Sequence, residues 1–425
     1  MRSGPKSQHA SKADRRFTRR NLRLGLILLA LGSVVASLLV GVSGSSATTA
    51  ASYQTPASVD SWYAAPSNLS GMANGTVIRS RGTYLSFLGL PLPIQSWQLL
   101  YKSTDAKGQP VADSTSLIIP LGSFGGPGPR PLVSYQAAED SVGAQCAPGF
   151  SLTSFSNPAV IGDVLQASQA LLHGWALAIP DYEGPESQFI AGAQAGHAVL
   201  DGVRAVQHFS PSGLNPQTPT ALWGYSGGGA ATGWASELQS SYAPELKVVG
   251  TAEGGVPADL GMLVNQINGG VFAGFEFIGV LGLWRAYPEM ALDPVLNQAG
   301  RDLLNANQNS CLGSVLLQGA FKKLDDYTVR PNVIAEPLYQ SIMAQNKLGQ
   351  RMPAAPVFNY GAMFDQIVPS QGNDNLVAAY CAGGVKVVKE RYLLAEHVTA
   401  AAEGLFSALN FLGDRFAGKP VQSTC

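Results

Sequence analysis

Residues 220–229 read TALWGYSGGG, and the fold follows from how that stretch is read. Residues 220–224 form a short apolar run of the strand type, and residues 227–240 carry a helical pattern. Between them stands Gly224-Tyr225-Ser226-Gly227-Gly228, a G-x-S-x-G motif in a strand–turn–helix setting. A turn that sharp needs small residues beside the serine. It lifts the hydroxyl clear of the sheet and puts the N–H of the next residue at the helix N-terminus, where it can stabilise an oxyanion. The competing reading is a phosphate loop. That wants G-K-[ST], but no lysine stands nearby, and G-x-G-x-x-G is not matched either. Ser226 is therefore the expected nucleophile.

Outward from this motif, strand and helix patterns alternate. Runs at 97–102 and 116–120 read as paired strands around a turn containing Asp105-Ala106-Lys107-Gly108. Further strands are expected at 132–136, 175–180 and 248–253. Helices are expected at 160–173, closed by Gly174, and at 194–209. Such alternation implies an α/β fold with a mostly parallel sheet covered by helices. It breaks over 256–349, read as a mainly helical cap insertion with helices near 294–305 and 333–346. Strand patterns return at 355–360 and 386–394, before a helix over 400–416. The expected organisation is an export segment or anchor over 1–47, a linker over 48–58, core over 59–255, the insertion, and core again over 350–425.

A serine nucleophile needs a base, and the base needs an orienting acid; in this setting they follow in the order serine, acid, histidine. The chain has five histidines (His9, His173, His197, His208 and His397), and only His397 comes after Ser226. The acid is less constrained: Asp259, Asp293, Asp302, Asp325, Asp326, Asp365, Asp374 and Asp414 all lie downstream. Asp365 follows an expected strand and a Gly-containing turn, and the carboxyl ends of strands are where α/β sheets place active groups. His397 also follows a strand. Ser226, Asp365 and His397 thus fall at the carboxyl ends of three different strands.

The rest of the composition narrows the class. Residues 1–47 hold eight Lys/Arg and one acid, Asp14, which leaves a body with 19 basic against 27 acidic residues. An acidic body lacks the clustered cations that phosphate contacts need, so no nucleic-acid partner is expected. The basic stretch ending at Arg23 precedes 19 uncharged residues, 24–42, and a small-residue run. That is the order of a secretory signal, although the apolar run is also long enough for an anchor. Either way the body lies outside the cytoplasm, secreted or in the cell envelope. The four cysteines, Cys146, Cys311, Cys381 and Cys425, suggest two disulfides with three possible pairings. They contain no C-x-x-C pair, and no metal site is expected.

With the G-x-S-x-G motif, Asp365 and His397 in place, the sequence from about Trp62 to Cys425 resembles the secretory lipase family, the group similar to Candida antarctica lipase A. The supporting stretches are Tyr101–Gly108, Ser134-Tyr135-Gln136 with Glu139-Asp140-Ser141, Asp181-Tyr182-Glu183-Gly184-Pro185, and 192–204 (GAQAGHAVLDGVR). The resemblance implies an α/β-hydrolase core with a helical cap, a Ser226–Asp365–His397 triad, and hydrolysis of triacylglycerols or related carboxylic esters through an acyl-enzyme. It implies an oxyanion hole built from Gly227 and Asp140, and bridges Cys146–Cys311 and Cys381–Cys425. No cofactor is called for. An ionised Asp140 would repel an oxyanion, so it must act through its backbone N–H or be held protonated by burial.

The expected partner is a lipid or ester substrate, met at a lipid–water interface, with no obligate protein partner evident. Acyl transfer to a cell-envelope lipid would use the same triad. A non-enzymatic envelope-binding protein is the remaining alternative. Residues 269–284 (GGVFAGFEFIGVLGLW), apolar but for Glu276, are expected to pack the cap or line an acyl pocket, with Gly274, Gly279 and Gly282 leaving room for a lipid chain.

Overall fold

The computed structural model describes residues 53–83, 86–87, 90–91, 94–154 and 156–425. The export segment expected over 1–47 lies outside the described residues, as does the linker expected over 48–58 before Tyr53. From Tyr53 the chain is docked on the body: Tyr53 Oη donates to Glu186 at 2.6 Å, and a short helix, Pro56–Val59, follows.

Among the described residues nine strands form one sheet: β1 (Val77–Gly82), β2 (Ile94–Thr104), β3 (Pro110–Pro120), β4 (Leu132–Gln136), β5 (Ala176–Pro180), β6 (Thr220–Tyr225), β7 (Val248–Gly254), β8 (Val357–Ala362) and β9 (Val387–Tyr392). In space they run β1-β2-β3-β5-β4-β6-β7-β8-β9. The β1–β2, β2–β3 and β3–β5 pairs are antiparallel; from β5 to β9 every neighbouring pair is parallel. The longer helices are α1 (Pro158–Ala167), α2 (Gly192–His208), α3 (Gly227–Tyr242), α4 (Leu260–Ile267), α5 (Gly274–Ala286), α6 (Gln298–Asn307), α7 (Leu312–Gly319), α8 (Pro337–Gln345), α9 (Ser370–Ala382) and α10 (His397–Phe416).

Strand alternation splits the core into two layers. On β6, Leu222 packs into the layer under α2, α3 and α9, while Ala221 and Trp223 face the layer under α10 and α1. Both faces of the parallel strands are covered, which is why β4, β5, β6 and β8 are buried along their whole length. Each fully buried Leu of this kind contributes about 1.5–3 kcal/mol. Trp223, bulky beside the turn, is core packing: its Nε1 donates to Tyr360 Oη at 3.2 Å.

Helices α4 to α8 lie between β7 and β8 and share a separate apolar cluster. Here the glycines of α5 differ from expectation. A Cβ on Gly274 would stand 2.4 Å from Val315 O, and one on Gly282 would stand 2.4 Å from Phe189 O. These two let α5 approach neighbouring backbone, and only Gly279 faces a cavity. Among the described residues no helix is long and apolar enough to cross a membrane.

The two bridges are Cys146–Cys311 and Cys381–Cys425, each with Cα atoms 5.5 Å apart. The second holds a C-terminal tail whose Thr424 N–H donates to Val387 O at 2.7 Å, covering the outer edge of β9.

Candidate active site

Ser226 sits between β6 and α3 with φ 57° and ψ −126°, a conformation that costs a side-chain-bearing residue about 1–3 kcal/mol. The surrounding backbone holds it there. Ser226 N–H donates to Gly254 O at 2.9 Å. A Cβ on Gly224 would lie 2.3 Å from Gly228 O, one on Gly228 1.9 Å from Gln136 O, and one on Gly229 2.4 Å from Gly254 O. The glycine run is therefore the contact surface between the turn and the ends of β4 and β7.

The serine hydroxyl lies 2.8 Å from His397 Nε2, and His397 Nδ1 lies 2.6 Å from Asp365 Oδ2. The carboxylate accepts from Nδ1–H, which leaves Nε2 free to accept from the serine. The other Asp365 oxygen accepts from the N–H groups of Ile367 (2.9 Å) and Val368 (2.8 Å), so the carboxylate cannot swing away. Both side chains of the pair are almost wholly buried. Of the downstream aspartates, Asp365 is the one that meets the histidine.

Where the sequence placed the last helix at 400, the structure starts it at His397 itself. Glu396 caps it, accepting from Val398 N–H and Thr399 N–H, while Thr399 Oγ1 accepts from Glu396 N–H. This is a reciprocal cap with the acid first, E-x-x-T, and a search for the usual S/T-x-x-E order passes over it. Two further positioning residues were missed. Tyr225 Oη donates to His397 O at 2.7 Å. Gln366 Oε1 accepts from His397 N–H at 2.9 Å, while its Nε2 donates to Glu396. Tyr225 is the variable residue of the motif and Gln366 adjoins the acid, so position was the available signal for both.

Asp140 lies in the loop after β4, with φ 43° and 4% exposure. A Cβ on Gly227 would stand 1.9 Å from its Oδ1, and that buried oxygen has no hydrogen-bond partner. Burial pushes its carboxyl up to about 7; His397 pulls it down and Asp163 pushes it further up. The loop is clamped from the helical block. Arg285 of α5 donates to Val142 O at 2.7 Å, Leu312 N–H donates to Ser141 Oγ, and Cys146 is bridged to Cys311 at the start of α7.

The profile described as "Secretory lipase" matches residues 153–424. The chain belongs to the secretory lipase family. It is 36% identical over 373 residues to a Mycobacterium tuberculosis protein named a probable inactive lipase, covering 85% of this chain and 83% of that one. It is 34% identical to a secreted triacylglycerol lipase of Malassezia furfur, over 86% of this chain and 77% of that one. The crystal structure of Candida antarctica lipase A superposes with a TM-score of 0.82 at 33% identity, covering 88% of this chain and 89% of that one. The sheet and its helices are thus an α/β-hydrolase fold, and the chain is of the lipase/esterase type of hydrolase.

In this secretory lipase family member two cavities share part of their lining, and the smaller one reaches Gly227, the residue after the serine. A small one is lined by Gly227, Tyr182 and Trp234; a larger, almost wholly apolar one lies inside the helical block. Ile190 and Leu260 line both, so the two cavities adjoin at these side chains.

Proposed function

We propose that this protein is an exported serine lipase that hydrolyses long-chain carboxylic esters, triacylglycerols included, through an acyl-enzyme. The observation that carries this reading is the Ser226–His397–Asp365 relay beside Gly227, with an apolar cavity in the helical block that adjoins, at Ile190 and Leu260, the small one lined by Gly227. Ser226 Oγ attacks the ester carbonyl while His397 Nε2 takes its proton, and Asp365 stabilises the imidazolium. The oxyanion forms against Gly227 N–H at the start of α3 and the Asp140 carboxyl. His397 then protonates the departing alcohol, and water activated by the same nitrogen cleaves the acyl-enzyme. Residues 256–349 act as the cap. The acyl chain runs from Gly227 past Ile190 and Leu260 into the cavity beneath it. Export is supported by the basic–apolar–small order of residues 1–47 and by the two bridges.

The name of the M. tuberculosis relative favours a second reading, a protein with the fold but no turnover. A fluorophosphonate probe separates the two. Stoichiometric labelling of the wild type, absent in Ser226→Ala, is expected; an unlabelled wild type would leave only the second reading.

The cavity reading makes a chain-length prediction. Gly279 lines the cavity, and its Cβ would meet the mobile end of Ile190 at 3.1 Å. Gly279→Leu is expected to lower rates on long-chain p-nitrophenyl esters by about tenfold while acetyl esters change less than about twofold. Gly282→Leu drives a side chain into the Phe189 backbone and should instead lower the melting temperature and all rates together. Equal losses in both variants would mean that Gly279 too is only packing.

Met363 and Phe364 precede Asp365, Leu393 and Leu394 precede the histidine loop, and the two pairs are neighbours through Met363 N–H donating to Tyr392 O. All four are exposed, Phe364 by 71% and Leu394 by 94%. Four such side chains at the rim of the site suit a lipid surface. Phe364→Asp combined with Leu394→Asp is expected to lower hydrolysis of emulsified triacylglycerol by about tenfold, with soluble butyryl ester turnover within about twofold. The same loss on both substrates would mean the loops serve only to hold Asp365 and His397.

A further inference from the structure

The cavity under the cap contains one group that neither the triad nor an apolar acyl chain explains. Glu276, on the first turn of α5, lines the cavity and is 4% exposed, and neither carboxyl oxygen has a hydrogen-bond partner. The other polar residues in the wall are satisfied within the chain. Asp325 accepts from Asn332 N–H at 2.9 Å, Tyr327 Oη accepts from Lys322 Nζ at 2.8 Å, and Thr328 Oγ1 donates to Arg330 O at 2.7 Å. An acid on a first helical turn commonly serves the backbone N–H groups there, but Glu276 has no such bond. Its role is therefore not helix capping, and a leucine or alanine would pack the wall without leaving polar atoms unpaired.

We propose that Glu276 is a specificity-determining anchor inside the acyl cavity, hydrogen-bonding a hydroxyl group carried part-way along the acyl chain of the substrate. The proposal rests on the lipase reading for the route by which the chain enters. Burial alone pushes the Glu276 carboxyl up to about 8, so near neutral pH it is an uncharged acid with one donor and a free acceptor. An alcohol has the matching pair, one donor and one acceptor, and is itself uncharged. A cationic or anionic group would have to be desolvated in an apolar cavity opposite a neutral partner, which disfavours it. A plain hydrocarbon chain leaves the carboxyl unpaired, so the site discriminates against it in the way a buried hydrogen-bonding site rejects an analogue lacking the hydroxyl.

The test is read in two ways. Turnover is measured on p-nitrophenyl esters of octadecanoic acid and of its monohydroxy derivatives, with the hydroxyl moved stepwise along the chain. Binding of the corresponding free acids is measured by calorimetry on the Ser226→Ala protein. The expected result is a preference of about tenfold at one position or two adjacent positions, expressed in KM and in the dissociation constant. Glu276→Leu should abolish this preference and improve the plain chain. Glu276→Gln, which keeps a donor and an acceptor, should retain most of it. A wild type indifferent to the hydroxyl at every position, or a preference unchanged in Glu276→Leu, would overturn the proposal. If none of the esters, plain or hydroxylated, is hydrolysed, the lipase reading fails, and the calorimetric comparison still decides the role of Glu276.

Discussion

Ser226→Ala is expected to lower ester turnover roughly a million-fold with the fold intact. The serine contributes almost nothing to packing, and the close contacts that shape the turn come from Gly224, Gly228 and Gly229, whose absent Cβ atoms would meet backbone at 1.9–2.4 Å. His397→Ala should lose as much, because among the described residues it is the histidine that meets the hydroxyl and takes its proton. Asp365→Asn should retain more, losing about 10⁴-fold: the amide preserves shape but favours the wrong tautomer and leaves the imidazolium unpaired. The turn also makes a prediction about stability. Ser226→Gly removes the strain of a side chain at φ 57° and should raise stability by about 1 kcal/mol while abolishing turnover. The measurements are kcat by titrimetry and unfolding by denaturant on the same preparations. Full activity in Asp365→Asn would reassign the acid.

The alternation of strands and helices could be read from the sequence because the parallel strands are buried on both faces and carry continuous apolar runs, such as 132–136 and 220–225. The candidate serine and histidine, which the fold brings within 2.8 Å of each other, could be singled out because one stands in a glycine run and the other had no competitor downstream. The acid had several competitors in sequence, and only the fold brings Asp365, two residues before Ile367, to His397 Nδ1.

What escaped was contact information. Gly279 and Gly282 look alike on one helix, yet one faces a cavity and the other faces the Phe189 backbone in the loop between β5 and α2. Helix α10 starts at His397 rather than at 400 because Glu396 caps it from the unusual end, and a pattern of apolar periodicity cannot register a cap made by the polar side chains of Glu396 and Thr399. The helical block was recognised as a break in alternation, and helices were expected where α6 and α8 stand, but α4 and α7 were not. Its apolar residues serve two surfaces, a shared cluster and a cavity wall, which blurs the 3.6-residue period.

Asp140 is expected to switch the reaction off as pH rises. Its Oδ1 is buried, without a partner, and so close to Gly227 that no Cβ could stand between them. Burial holds its carboxyl near 7. Below that value the group is a neutral acid that can donate to the oxyanion beside Gly227 N–H. As pH rises through it the group becomes a carboxylate, which repels the charge it should stabilise. kcat should therefore fall on the alkaline side with a midpoint near pH 7. Asp140→Asn keeps a donor that does not titrate, so it should retain measurable turnover and lose this alkaline fall. Asp140→Ala should lose about 10²–10³-fold at every pH, the usual cost of deleting one oxyanion donor. The decisive measurement is the pH profile of kcat for the three proteins on a soluble ester. An unchanged alkaline limb in Asp140→Asn would mean that Asp140 contributes through its backbone N–H, with φ 43° aiming that group, and that its carboxyl is a bystander.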